Sequence, residues 1–282
     1  MVKMNTDSYP FRIGIAGCGA MGLPMAETLL SRNLDIVGFD IRPIDDRSPM
    51  AGHMATSAEE FASTLDIAFT VVRDIPETEA LLFDQQSIAA ILPSGCLLVV
   101  CSTLSPRYLK SLRDRLCLSI QLVDAPMSGA PHAARVASLT FMLGAREGEY
   151  PGLEPILEVM GKKIHYLGEY GAGMSCKVLN NYVAAMSVAA VRRSLAAARF
   201  LGVDPAQLRQ VMSDSSGSTW FGNQFDLIDW SRQNYQTNNT IGLLEKDTRS
   251  FLDAIGGQDN LSASSFDDAF LRYLRKLPMS PD

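Results

Sequence analysis

Short apolar runs alternate with amphipathic stretches over the first 168 residues, and beyond them the alternation stops. Residues 11–16, 34–39, 65–72, 96–101, 120–123, 139–143 and 163–167 are the apolar runs. They are too short for core helices and read as strands, 65–72 as a buried one. Residues 77–92 read as a helix with Glu77 and Glu79 near its positive end. Ser105-Pro106 fits the cap and first position of a helix running to about residue 116, and residues 154–160 form another helical stretch. Strands alternating with helices predict an α/β fold, a parallel-rich sheet doubly wound by helices.

From Gly168 the pattern changes. Gly168, Gly171 and Gly173 punctuate the chain, and an alanine-rich stretch over 175–201 has no strand break, which predicts one long helix. Gly202 is placed to end it, and Asp204-Pro205 to cap and start the next. Helical patterns follow at 205–212, 221–232, 240–255 and 265–276. The expected organisation is therefore a flexible N-terminus over 1–10, a sheet domain over 11–168 and an all-helical domain over 169–282 built on the long helix. Two prolines in 277–282 predict a loose tail.

The first apolar run leads directly into Gly17-Cys18-Gly19-Ala20-Met21-Gly22, and the second ends in Asp40. A GxGxxG turn between a strand and a helix is the fingerprint of a Rossmann-type dinucleotide-binding domain. Gly17 makes the tight turn, Gly19 lets backbone approach a pyrophosphate, and Gly22 lets helix and strand pack closely. The helix N-terminus then faces the phosphates with its unpaired N–H groups. Asp40 stands where a carboxylate accepts hydrogen bonds from the adenosine ribose, and the same carboxylate repels a 2′-phosphate. NAD is the expected cofactor, and Arg42 leaves NADP possible. A glycine turn that binds nothing is the alternative.

Composition narrows the class. With 282 residues, 47% of them hydrophobic, the chain can hold one large domain or two ordinary ones, each with a core. A net charge of −6 argues against a phosphate-backbone binder, which needs a basic footprint, so no nucleic-acid partner is expected. No apolar run is long enough for a membrane span or a signal core, so a cytoplasmic protein is expected. The five cysteines show no CxxC spacing and the three histidines are scattered, so neither disulfides nor a metal site is assigned. Cys18 and Cys176 are read as small buried side chains, with an oxidation-sensitive thiol as the alternative.

Candidate chemistry sits where strands end. Ser102-Thr103 follows one strand, and Asp124-Ala125-Pro126-Met127-Ser128-Gly129 follows another. Ser128 and Gly129 offer a hydroxyl and backbone N–H groups suited to a carboxylate, or form an ordinary turn. On the long helix Lys177 and Asn181 are four residues apart, hence on one face. A lysine partly withdrawn from water there can exchange a proton with an alcohol near neutral pH; a solvated lysine at a helix start is the plainer reading.

Five motifs in order, GCGAMGLPMA, CSTLSP, DAPMSGAPHAARVASLT, GAGMSCKVLNN and LEKD, resemble those of the β-hydroxyacid dehydrogenases, the 3-hydroxyisobutyrate dehydrogenase family. They run from Gly17 to Asp247, most of the chain. The resemblance implies an NAD(P)-dependent oxidoreductase that interconverts a small hydroxy acid and its oxo acid or semialdehyde. It implies that Gly17, Gly19, Ala20, Met21 and Gly22 cradle the cofactor, that Thr103 contacts it near the nicotinamide, and that Lys246 reaches toward it. Ser128 and Gly129 then hold the substrate carboxylate, Asn181 orients the substrate, and Lys177 is the catalytic lysine.

Two departures stand out. The family usually has a second glycine after the serine and Gly-Thr before the final leucine, where this chain has Ala130 and Ala137-Ser138. His132 and Arg135 in the same segment bear on which substrate fits. A finer resemblance, carried by Val71-Val72, Glu77-Thr78-Glu79, Leu82-Phe83 and Ser216-Gly217-Ser218-Thr219-Trp220, is to the branch that oxidises sugar acids such as threonate. Ser218, Thr219 and Trp220 either line a pocket for a polyhydroxy acid or form a helix-connecting turn with a core tryptophan. An imine reductase on the same scaffold and a non-catalytic nucleotide-binding module are the competing functions; Lys177 argues against the first, and the pair of Lys177 and Asn181 against the second. The long apolar helix is expected to be covered by a second copy, in a homodimer or homotetramer.

Overall fold

The computed structural model describes residues 9–256 and 264–280. The chain folds as two compact units, Met1–Lys177 and Val178–Asp282. Most of the expected flexible N-terminus, and the last two residues of the expected loose tail, lie outside the described residues. Tyr9 is described and packs on the core of the first unit.

Five strands, β1 (Ile13–Ala16), β2 (Ile36–Phe39), β3 (Ile67–Thr70), β4 (Leu97–Val100) and β5 (Gln121–Asp124), form a parallel sheet in the order β2-β1-β3-β4-β5. Because successive side chains alternate between faces, each strand feeds two cores. Ile13, Ile15, Ile67, Phe69, Leu97 and Val99 pack in one with Met25 and Leu29 of helix α1 (Gly22–Leu30). Ala16, Ala68, Leu98, Val100 and Leu122 pack in the other, with Phe61 of α2 (Ala58–Ala62), Leu81 and Leu82 of α3 (Ile75–Leu82), and Leu109 and Leu112 of α4 (Pro106–Arg115). This alternation is the physical content of the doubly wound fold. The order reverses between β1 and β3, so a crevice opens at their carboxyl ends, where the glycine loop leaves β1.

The last strand-like runs form a second sheet instead of extending the first. β6 (Met127–Ser128) pairs antiparallel with β7 (Leu139–Leu143), and β7 pairs parallel with β8 (Gly161–Tyr166). Between them lie α5 (Ala130–Arg135) and α6 (Glu154–Met160). The helix expected over 77–92 ends instead at Leu82. Ser87 adopts φ +49°, a left-handed conformation that an α-helix cannot contain, and its hydroxyl donates to the carbonyls of Phe83 and Asp84.

Helix α7 (Ala172–Phe200) is the long helix, 29 residues, and it runs through the division between the units. Gly202 at φ +72° follows its end. The second unit continues with α8 (Pro205–Ser213), α9 (Trp220–Asn223), α10 (Thr240–Ile255) and α11 (Ser265–Arg275). The helix expected over 221–232 is confined to α9. Its aromatic residues explain why: Phe221 and Trp230 stack with centroids 5.5 Å apart, whereas nine residues of straight helix separate by about 13.5 Å. The turns after Asn223 fold Trp230 back into the core beside Phe225.

The described part of the tail is anchored. Leu277 is buried and its carbonyl accepts from the Tyr235 N–H at 3.0 Å. The buried guanidinium of Arg192 on α7 donates to the carbonyls of Ser231 (2.7 Å), Gln233 (3.0 Å) and Pro278. Among the described residues no helix is long and apolar enough to cross a membrane.

Candidate functional site

The glycine loop is built so that only glycine fits at two of its positions. Gly17 has φ +95°, and a Cβ there would lie 2.7 Å from the Val71 carbonyl oxygen. At Gly22 a Cβ would run into the Gly17 carbonyl oxygen. Gly19 differs, because the nearest atom to its missing Cβ is Nη2 of Arg42 at 3.5 Å, so its bare backbone faces open space. Helix α1 starts at Gly22 with Met21 as its N-cap, no side chain caps it, and its first turn carries no acidic residue. By contrast, Ser57, Asp74, Asp204 and Ser264 cap α2, α3, α8 and α11. An uncapped helix start behind a bare glycine is what a pyrophosphate requires.

A groove of about 260 Å³ joins this loop to the end of β2, lined by Cys18, Gly19, Ala20, Leu23, Asp40, Arg42, Pro43 and Ile44. Asp40 is withdrawn from solvent, with 6% of its side chain exposed, and accepts from the Arg42 N–H at 2.9 Å and from Nε at 3.4 Å. The Arg42 side chain is 74% exposed. Loop, carboxylate and guanidinium therefore share one groove within the first unit, and these residues fit a dinucleotide. Cys18 is buried, and burial pushes its thiol up to about 12, which favours the packing reading over a redox one. Cys176 is half-buried.

Thr103 lies just past β4 and Ser128 at the end of β6. Ser128 is half-buried, and Gly129, exposed at φ +139°, caps α5. A Cβ on Gly129 would lie 2.5 Å from that of Ala133, so the turn depends on glycine. His132 and Arg135 are exposed on α5. Both departures from the family pattern fall at left-handed positions: Ala130 has φ +53° and Ala137 φ +51°.

Asp124, at the end of β5, is a residue to which the sequence alone assigns no role. Fully buried, it accepts from the N–H of Gly171 at 2.6 Å and of Met174 at 2.5 Å, the opening turn of α7. Burial raises its pKa above the usual carboxylate range, and the backbone bonds from Gly171 and Met174 offset only part of that rise. Lys177, one turn further along α7, is 7% exposed and belongs to the first unit. Its burial excludes the plain solvated-lysine reading.

In the second unit, Asn181 and Lys246 meet at another residue that sequence reasoning misses. Asn181 Nδ2 donates to Asp247 Oδ2 at 2.6 Å, and Lys246 Nζ lies 2.8 Å from Asp247 Oδ1. Asp247 thus orients both; its position beside Lys246 in the LEKD motif is the available signal. Trp220 is 55% exposed, which overturns its reading as a core tryptophan, a part played by Trp230. Thr219 caps α9, and Ser218 bonds Asn223.

Comparison with known proteins bears on this arrangement directly. Residues 12–168 match the family model described as the NAD binding domain of 6-phosphogluconate dehydrogenase. Residues 171–263 match that described as NAD-binding of NADP-dependent 3-hydroxyisobutyrate dehydrogenase. L-threonate dehydrogenase of Cupriavidus necator is 30% identical over 246 residues, 86% of this chain and 82% of that protein. The chain belongs to the 3-hydroxyisobutyrate dehydrogenase family. As a member of that family it is an NAD(P)-dependent hydroxyacid dehydrogenase acting on CH–OH groups. Family membership removes the non-catalytic module as a reading. Mycobacterium tuberculosis 3-hydroxyisobutyrate dehydrogenase, solved with L-serine, superposes with a TM-score of 0.77 at 24% identity, over 95% of this chain and 96% of that one. An imine reductase from Pseudomonas sp. superposes with a TM-score of 0.61 at 19% identity, covering 94% and 92%. At these identities the superpositions establish the shared fold.

Proposed function

We propose that this family member oxidises a small hydroxy acid of the threonate or 3-hydroxyisobutyrate kind with NAD, in the cytoplasm and as a homodimer or homotetramer. The observation that carries the mechanism is Lys177: a lysine held out of water in the same unit as the nucleotide groove. Bound nicotinamide supplies the chemistry of hydride acceptance and return. Lys177, in its neutral form, takes the hydroxyl proton of the substrate onto Nζ as the C–H bond breaks, and returns it in the reductive direction. Ser128 Oγ and the N–H groups around Gly129 hold the substrate carboxylate, which fixes the carbon to be oxidised. Asn181, its amide set by Asp247, orients the substrate, and Lys246 and Thr103 serve the cofactor, following the family pattern.

Asp40 favours NAD, since a 2′-phosphate would meet a carboxylate that is already committed to Arg42. Asp40→Ala should therefore narrow the preference for NAD over NADP by about tenfold or more, read as the ratio of kcat/KM values. An assay of 3-hydroxyisobutyrate, threonate, erythronate and glycerate with each cofactor tests the activity; failure of every hydroxy acid would overturn it. Lys177→Ala should lower kcat by about a hundredfold or more while leaving NAD affinity within a few-fold. Near-normal turnover in that variant would exclude the lysine mechanism.

A further inference from the structure

The catalytic reading of Lys177 leaves open what fixes its position. Four observations converge on the turn just before it. The Asp124 carboxylate receives the N–H groups of Gly171 and Met174, one on each oxygen. Gly173 lies so close to β7 that a Cβ there would collide with the Met142 carbonyl oxygen, and it would lie 2.9 Å from Asp124 Oδ2. Met174 is fully buried in the core under the five-stranded sheet, where its sulfur accepts from the Leu104 N–H at 3.3 Å. Tyr170 donates its hydroxyl to the Leu109 carbonyl at 3.0 Å.

This cap is unlike an ordinary one. Capping residues of the other helices sit next to the turns they close, whereas Asp124 reaches its amides from the end of a strand 47 and 50 positions away. Gly144 makes room for it, since a Cβ there would strike Asp124 Oδ1. A carboxylate against the positive end of a long helix is favourable electrostatically, and both oxygens are used in directional bonds. The turn is thereby fastened to the sheet at several points, and the division of the chain into units falls just after it, between Lys177 and Val178.

We propose that Asp124 is the positioning residue for Lys177, clamping the opening turn of α7 so that the lysine is held by the cofactor-binding unit even though most of its helix belongs to the other. The proposal rests on the catalytic reading of Lys177, and the clamp itself has a readout that does not. In the full-length chain, Asp124→Asn keeps size and one acceptor but presents an NH₂ group to an N–H donor. Gly173→Ala attacks the same turn from the β7 side, should Asp124→Asn fail to fold. Hydrogen–deuterium exchange over 170–178 should become about tenfold faster in either variant, with β1, β3 and β4 unchanged.

In steady-state assays with the hydroxy acid that the wild type oxidises best, kcat should fall about ten- to a hundredfold while KM for NAD stays within about twofold. The primary deuterium isotope effect on kcat should rise, because the chemical step becomes slower; mere loss of folded enzyme would not move it. Wild-type exchange over 170–178 in both variants would overturn the clamp. So would uniform acceleration of exchange through the whole unit with kcat/KM for NAD and kcat falling together. If Lys177→Ala keeps its turnover, the catalytic reading fails, and the exchange measurement alone decides whether Asp124 holds the turn.

Discussion

Ala130 and Ala137 carry positive φ angles with an ordinary side chain, at places where glycine would carry no steric penalty. Ala137→Gly should therefore stabilise the protein by about 1 kcal/mol, seen as a higher melting temperature; an unchanged or lower one would mean that the alanine methyl makes packing worth more than the strain. Gly22→Ala is the opposite case. The methyl collides with the Gly17 carbonyl, so NAD affinity should drop by about tenfold or more in a titration. The contrast also marks what a sequence reveals at this scale. Gly17, Gly19 and Gly22 are legible because their requirement is local, a turn between one strand and one helix. Asp124 is not, because the amides it serves lie far along the chain and only the fold brings them together. Asp247 stands in the same position: beside Lys246 in sequence, but bonded to Asn181 through tertiary structure.

At the scale of single elements, helices with local stop and start signals are readable and those shaped by packing are not. α10 spans the expected residues, opened by Asn239, whose side chain accepts from the Gly242 N–H at 3.1 Å. The hydropathy of 77–92 and 221–232 predicts helix throughout, and a left-handed serine and a returning tryptophan cut those helices short. α10 also carries a charge cluster with a pH signature. Burial works against ionisation of Glu245, but bonds from Arg275 (2.7 Å), Tyr235 (2.6 Å) and Arg249 (2.9 Å) outweigh it and bring its pKa from 4.5 to about 2. A carboxylate depressed in the folded state stabilises fully above its unfolded value, and the contribution fades as pH falls from about 4.5 toward 2. Both arginines are half-exposed, so solvent screens the pairs. Glu245→Gln should cost about 1–2 kcal/mol at pH 7 and less at pH 3, measured by urea denaturation; equal losses at both values would refute the assignment.

For the whole molecule, the switch from strand-helix alternation to helix alone announces the two architectures, because hydrophobic periodicity reports which faces are covered. What it misses is the break between the five-stranded and three-stranded sheets, which depends on pairing partners and not on hydropathy. Leu179 and Val183, four apart on α7, are 54% and 67% exposed, and Phe200 and Leu201 more so. Multi-angle light scattering should therefore return a mass of two or four chains, and Leu179→Lys with Val183→Lys should shift it toward one. A monomer in the wild type would refute the assembly. The anchored tail has a consequence for synthesis. Arg192 and the core around Leu277 take partners from residues 277–280, so the helical unit gains its full set of described contacts after the ribosome has released them. A premature stop after Lys276 would leave a buried cation short of an acceptor and a core short of its last leucine, marking the product for proteolysis.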